Sequence, residues 1–458
     1  MPVTIQAYAY LAESSLAGRD LRLQTSSDGR FPRFFTGFLT TPEPAALGLL
    51  AVAEVARTRY YRPRDPAGLD PVVTGSADRL RFESFSGCCG VYARLDVLPA
   101  GLDGDVLGPG TTNVDVNDPL RRALTDVTGL EPLHLSVGPD DLTVSTMDGA
   151  VVERKVPLPD RWLRGFAEVP VIASAFDPRA ELDIAEARAF LHRLPAGRDT
   201  SVLWAVPAGR ALRLTSRPVP GAVCLAGAGR LAALRPLLRF ASALRVYGPP
   251  VGAGNAPVAS TWELDTGALR LSLTLSPEPR RGFSGEGAVL PSLADAEDED
   301  AELIGSLLAW DPTVDVAVLA ARADIPVERT RAALIRLGTA GQVGYDVSEA
   351  AYFHRVLPYD ATRAARDNPR LVAARALVEA GAVEAGDGAV ATVRSGERAY
   401  RVRRDGAAFT CTCEWWGRYR GGRGPCKHAL AVSLAGAALA GTVAEDAPAF
   451  APADQPPS

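Results

Sequence analysis

Lysine is almost missing from this 458-residue chain: it occurs only as Lys155 and Lys427, so 47 of the 49 basic residues are arginine. A P-loop needs a lysine directly after glycine, and neither lysine follows one, which excludes a P-loop ATPase or helicase. Histidine is scarce too, with four residues, and no His-Glu-x-x-His occurs, which excludes a zincin. Six cysteines are too few for a disulfide-stapled secreted scaffold. No run of about eighteen apolar residues appears, so an ordinary membrane span and a membrane partner are excluded. The opening Met1-Pro-Val-Thr-Ile-Gln6 lacks a basic segment followed by an apolar one, so no signal peptide is expected and the location expected is the cytoplasm. A net charge of −5 argues against a surface coated with positive charge for indiscriminate nucleic-acid binding.

What is present concentrates near the C-terminus. Cys411-Thr-Cys413 is followed, after twelve residues, by Cys426-Lys-His428. Three thiolates and one imidazole fill the tetrahedron of a zinc ion and leave no seat for water, so this donor set points to one structural Zn2+ and no catalysis. Ala407 to Cys413 alternates after Asp405-Gly406 and reads as a strand. Ala429 to Ala440 is rich in alanine and leucine, carries no charge and reads as a helix. The first ligand pair then sits at a strand end and the second in a first helical turn. This β-β-α order, with Gly424-Pro-Cys-Lys-His428-Ala429, resembles the SWIM zinc finger over residues 395 to 440. The resemblance implies a module, assigned here to residues 368–440, that binds DNA or protein.

Between Arg394 and His428 nine basic residues stand against three acidic ones. Arg401, Arg403, Arg404, Arg418, Arg420, Arg423 and Lys427, with Trp415, are the candidate binding residues. Basic residues interleaved with Trp415, Trp416 and Tyr419 suit a phosphate-tracking surface with stacking aromatics. The competing reading is that the aromatics fill the module's small core. Lys427, between two ligands, suits a compact charge that offsets the thiolates.

Upstream, after the acidic linker Ala296 to Asp300, three helical stretches are expected: Asp300 to Trp310, Val316 to Ala323 and Val327 to Leu337. The strand pair Gln342–Val347 and Ala351–Val356 follows, giving a winged-helix-like unit over residues 298–358. The would-be recognition helix carries Arg329, Arg331 and Arg336 but also Glu328, so packing or protein docking outweighs DNA contact there. His354 reads as a packed or surface histidine.

Residues 1–170 and 171–290 read as two α+β regions. Helices are expected at Pro42 to Arg57, Pro178 to Leu194 and Leu231 to Leu244, and three short strands between Leu133 and Leu158. Further strands are expected at Ser201 to Val206, Ala211 to Thr215, Thr261 to Leu264 and Ala268 to Leu275. Gly227-Ala-Gly229 reads as a plain strand-to-helix turn, because no acidic residue follows at dinucleotide spacing. The proline- and alanine-rich tail, residues 441–458, is expected to be disordered.

The fold class is therefore α+β and multidomain. Phrases such as Ser86-Gly-Cys-Cys-Gly-Val-Tyr92 and Val152 to Trp162 resemble a group of bacterial proteins with a C-terminal SWIM finger. That resemblance implies a MoxR-type ATPase or a von Willebrand A protein as partner. Two readings of function follow: a zinc-binding adaptor for nucleic acid, DNA favoured, or a protein-interaction scaffold of an ATPase-containing system. A thiol hydrolase using Cys88 or Cys89 is the minor enzymatic reading, since His134 and His192 are the only upstream bases of that type.

Overall fold

A computed structural model describes residues 15–17, 20–22, 33–61, 71–129, 131–195, 200–283, 286–291, 299–357, 368–386, 389–405 and 408–445. Helix and antiparallel sheet are mixed, and the chain divides into two compact units: residues 1–286 with 298–361, and residues 287–297 with 362–458.

The first unit is built on an eight-stranded sheet. Its order is Asp177–Asp183, Ala243–Gly248, Ser260–Asp265, Leu269–Leu275, Val91–Val97, Leu80–Phe85, Val72–Gly75 and Gly110–Asn113. Every neighbouring pair is antiparallel. The central strands alternate apart from Ser84 and Phe85, and the register sorts them into two unlike faces. Leu80, Phe82, Leu95, Val97, Leu271 and Leu273 share the apolar face, on which the helix Pro42–Arg57 packs. Gly48 lets that helix come close, since a Cβ there would lie 2.8 Å from Leu95 Cδ1.

The opposite face carries Arg81, Glu83, Arg94, Asp96, Glu263 and Arg270, and it is buried as well. Its cover is the hairpin Val343–Asp346 with Ala351–His354. Asp346 accepts from Arg94 at 2.9 Å and from Arg270 at 3.1 Å, Arg81 pairs with Asp96 at 3.2 Å, and Arg355 pairs with Glu83. The Arg81 guanidinium lies 4.1 Å above the Phe353 ring. Burial opposes ionisation of Asp346, but the guanidiniums of Arg94, Arg270 and Arg81 overcome it and hold the carboxyl well below the usual range.

The three helices before this hairpin, Glu299–Leu307, Val316–Ala323 and Val327–Thr339, lie where the apolar periodicity places them. A five-stranded sheet, a three-stranded sheet, the two-stranded pair Ser15–Ala17 with Asp20–Arg22 and helices Asp118–Asp126, Asp160–Ala173 and Ile184–Arg193 also belong to the unit.

Two expected helices differ. Residues 177–183 form the edge strand of the large sheet, and the helix starts only at Ile184, where the Asp183 carboxylate accepts from Glu186 N–H. In place of a helix from Leu231 to Leu244 there is a 3-10 segment, Ala228–Leu237, then the strand Ala243–Gly248. Pro236 lies inside that segment, where its ring and missing N–H prevent an α-helical ladder.

In the second unit, the helix Pro369–Glu379, capped by Asn368, leads into a four-stranded antiparallel sheet. The sheet order is Val383–Ala385, Val390–Ser395, Arg398–Asp405 and Ala408–Cys411, and the helix Lys427–Glu445 follows. That helix takes in the first five residues of the expected disordered tail, and residues 446–458 lie outside the described residues.

Candidate metal centre

The site is assembled from chain ends that secondary structure leaves unsatisfied. Cys411 closes the last strand of the small sheet. Cys413 is the N-cap of the short helix Glu414–Tyr419, and its sulfur accepts from Trp416 N–H at 3.4 Å. Cys426 precedes the long helix and accepts from Ala429 N–H at 3.4 Å. Two of the three sulfurs thus take the place of the oxygen that ordinarily caps a helix, where free N–H groups favour negative charge. His428 lies in the first turn of the long helix, with its Nδ1 3.8 Å from Cys411 Sγ. Its ring stacks on Tyr400 at 4.1 Å between centroids.

The four donor atoms lie within 4.8 Å of one another and all four residues are buried. A zinc tetrahedron with Zn–S of about 2.3 Å has edges of roughly 3.8 Å, so the set is already close to the shape of the coordination shell. Electrostatics agree. Hydrogen bonding from Cys411 pushes the Cys426 thiol down to about 4, with further help from His428 and Ala429 N–H against the cost of burial. The same hydrogen bond, then burial, push Cys411 up, and burial pushes Cys413 up. One thiolate is supported by the protein alone, and ionising the others needs a cation among them. The residues fit one structural Zn2+, and with four protein ligands no position remains for substrate.

The outward residues sort by strand parity. Arg401 and Arg403 lie on the outer face of the sheet, opposite Thr392 and Val390 on one side, with Thr410 next to Arg403. Arg404 points with Val402 to the other face, its guanidinium 5.8 Å from the Phe409 ring. Arg418 and Arg420 are exposed, and Arg420 ends its helix in a left-handed conformation (φ 48°). Arg423 and Lys427 are half-buried. Arg423 lies 5.1 Å from the Trp415 ring and 4.9 Å from that of Tyr419, and Arg418 lies 5.4 Å from Tyr419. The structure therefore brings Trp415, Arg418, Tyr419 and Arg423 into one cluster and places Arg401 and Arg403 on a sheet face.

Sequence reasoning missed Arg370. It stands 4.6 Å over Trp415 and donates to the carbonyl oxygens of Arg423 and Pro425, which fixes the loop leading into Cys426. Gly287 and Gly424 make room for this arrangement, since a Cβ on Gly287 would lie 2.2 Å from Arg370 and one on Gly424 2.1 Å from the Gly287 carbonyl. Both have positive φ. No local signal marks Arg370, whose two carbonyl acceptors lie more than fifty positions away.

In the first unit, Cys88 lies 3.4 Å from the Ser86 hydroxyl and Cys89 donates to the Arg161 carbonyl. Both cysteines are buried. His134 is engaged with Thr36 and Phe38, and His192 with the Arg188 carbonyl.

A small zinc module closed by a Cys3His set is the class of site this geometry defines. Residues 400–437 match the family model of the SWIM zinc finger, which names that module. No curated protein matches the sequence. Among solved structures the chain is similar to a proliferating cellular nuclear antigen from Entamoeba histolytica, at 10% identity and a TM-score of 0.34 over 54% of this chain and 99% of that one. It is also similar to a chain of the PCNA2-PCNA3 complex from Sulfolobus tokodaii, at 9% identity and a TM-score of 0.38 over 53% and 99%. A chain in the structure of the C-terminal region of FEN-1 bound to A. fulgidus PCNA aligns at 12% identity and a TM-score of 0.33 over 53% and 98%. Among the described residues no helix is long and apolar enough to cross a membrane.

Proposed function

We propose that this protein is a zinc-dependent adaptor whose SWIM finger binds nucleic acid, DNA favoured, through the phosphate backbone. One observation carries the reading: among the described residues no carboxylate pairs with Arg401, Arg403, Arg418 or Arg420, and all four are exposed. Unpaired exposed guanidiniums are ready to replace the counterions of a phosphate chain. The rings of Trp415 and Tyr419 are faced by Arg370, Arg418 and Arg423, which favours phosphate contact over base stacking.

In this reading residues 298–358 form a winged-helix-like unit that serves packing. What supports it is the burial of the hairpin that would be the wing, and the pairing of Arg329 on the would-be recognition helix with Asp300 at 2.7 Å. The chain acts by binding and not by catalysis, and works in the cytoplasm.

The test is retention on duplex DNA as salt is varied. Four phosphate contacts predict that log K falls with log salt at a slope of roughly −3 to −4, and charge reversal at Arg401 and Arg403 should reduce that slope by about 2. A salt-independent affinity, or none, would sink this reading in favour of a protein-interaction scaffold docking an ATPase-containing partner.

A further inference from the structure

The five-stranded sheet of the first unit ends in two strands that are open on one side. Its order is Gly149–Arg154, Asp141–Thr146, His134–Val137, Phe35–Leu39 and Leu102–Val106. Among the described residues only a single bridge, Val114 with Lys155, lies beyond either end. The bonds already made show which groups are left over. Leu107 N–H donates to the Phe34 carbonyl and Thr40 N–H to that of Gly101, so odd-numbered residues of this edge face Phe35–Leu39. Gly104 and Val106 therefore turn their N–H and C=O outward. At the other end Lys155 N–H donates to the Asp140 carbonyl, so the outward groups belong to Ala150, Val152 and Arg154. Such an edge is a template for another strand.

The two edges are opposite in charge. One carries Asp103 and Asp105 and the other Arg154 and Lys155, all exposed and none in an ion pair among the described residues. Like edges repel, and unlike edges attract. Both are also apolar in part: of the nine large apolar side chains exposed among the described residues, Val106, Leu107, Met147 and Val152 lie on or beside them, and Phe38 stands opposite Asp103.

The geometry permits the match. Each neighbouring pair is antiparallel, so the end strands, four steps apart, run in the same direction. A second copy laid alongside in the same orientation would set its Gly149–Arg154 parallel to Leu102–Val106. With Gly104 opposite Val151, the N–H groups of Gly104 and Val106 meet the carbonyls of Ala150 and Val152. Those of Val152 and Arg154 meet the carbonyls of Gly104 and Val106. This register keeps the outer faces continuous and sets Asp105 diagonal to Arg154.

We propose that copies of this chain associate head to tail, each adding its Gly149–Arg154 strand to the Leu102–Val106 edge of the next. Such a contact is heterologous, so assembly continues past the dimer.

The test is sedimentation velocity of the zinc-loaded full chain, freed of nucleic acid. Species larger than a dimer should grow with concentration and recede with salt. Val106→Pro and Val152→Pro each delete one outward N–H, at edge positions where proline is tolerated. Each variant alone should be monomeric, and an equimolar mixture should give a dimer and nothing larger, because one intact pair of edges remains. Asp105→Arg should weaken assembly about tenfold, and adding Arg154→Asp should restore it. A wild-type monomer up to about 1 mM, the weak end of specific affinities, would overturn the proposal. So would a Val106→Pro variant that still dimerises, or a mixture that stays monomeric. If the proline variants do not fold, the charge variants decide: assembly unchanged by Asp105→Arg refutes the pairing.

Discussion

At the scale of single residues, the metal centre was legible because its signal is local. Two ligands two positions apart, a short loop and two more ligands two positions apart leave few alternatives to a tetrahedral site. The support around the ligands was not legible. Arg370 touches the finger only because the chain folds back on itself, and it holds two carbonyls of the loop that delivers Cys426. Such outer contacts commonly tune metal affinity by 10- to 100-fold. Arg370→Ala should therefore lower zinc affinity by about tenfold, measured by competition with a chromophoric chelator. An affinity equal to that of the unaltered protein would show that the loop holds its shape without the guanidinium.

At the scale of elements, periodicity located those stretches whose neighbours follow immediately, such as Pro42–Arg57, Val316–Ala323 and the hairpin strand Ala211–Thr215. It failed where a distant partner decides. Residues 177–183 contain good helix formers, yet pairing with Ala243–Gly248 makes them a sheet edge. The hairpin Val343–Asp346 with Ala351–His354 was placed correctly from its pattern, but its burial was not foreseen. His354 records that burial: its imidazole stacks on Trp310 at 4.3 Å and is pushed down to about 4 by desolvation. In the unfolded chain it titrates near 6.5, so the unfolded state binds the extra proton first and stability is lost as pH falls from about 6.5 towards 4. Urea denaturation of the first unit should show a loss of about 1–2 kcal/mol from this group between pH 7 and pH 5. His354→Phe should flatten that part of the profile, and an unchanged slope would assign it to other groups.

At the scale of the whole molecule, alternation misleads in an instructive way. Leu80–Phe85 and Val91–Val97 interleave charged with apolar residues, a pattern that ordinarily leaves the charged face in water, yet Arg81, Glu83, Arg94 and Asp96 are all buried. Only the charged residues of a hairpin some 250 positions later complete that face, and nothing in the strands themselves announces it. The zinc, by contrast, supports one unit alone. Chelation should abolish the thermal transition of the second unit, and Cys413→Ser should do the same without a chelator, while the transition of the first unit stays in place. One cooperative transition that moves as a whole would contradict this division.

The second unit also owns a piece of chain far from its finger: residues 287–291, on whose first carbonyl Gly424 closes. During synthesis this piece leaves the ribosome before the sequence it belongs with, and the intervening residues 298–361 belong to the first unit. Maturation of the zinc module therefore waits for the last helix, and a fragment started at residue 368 would begin life without the backbone its loop was shaped to rest on.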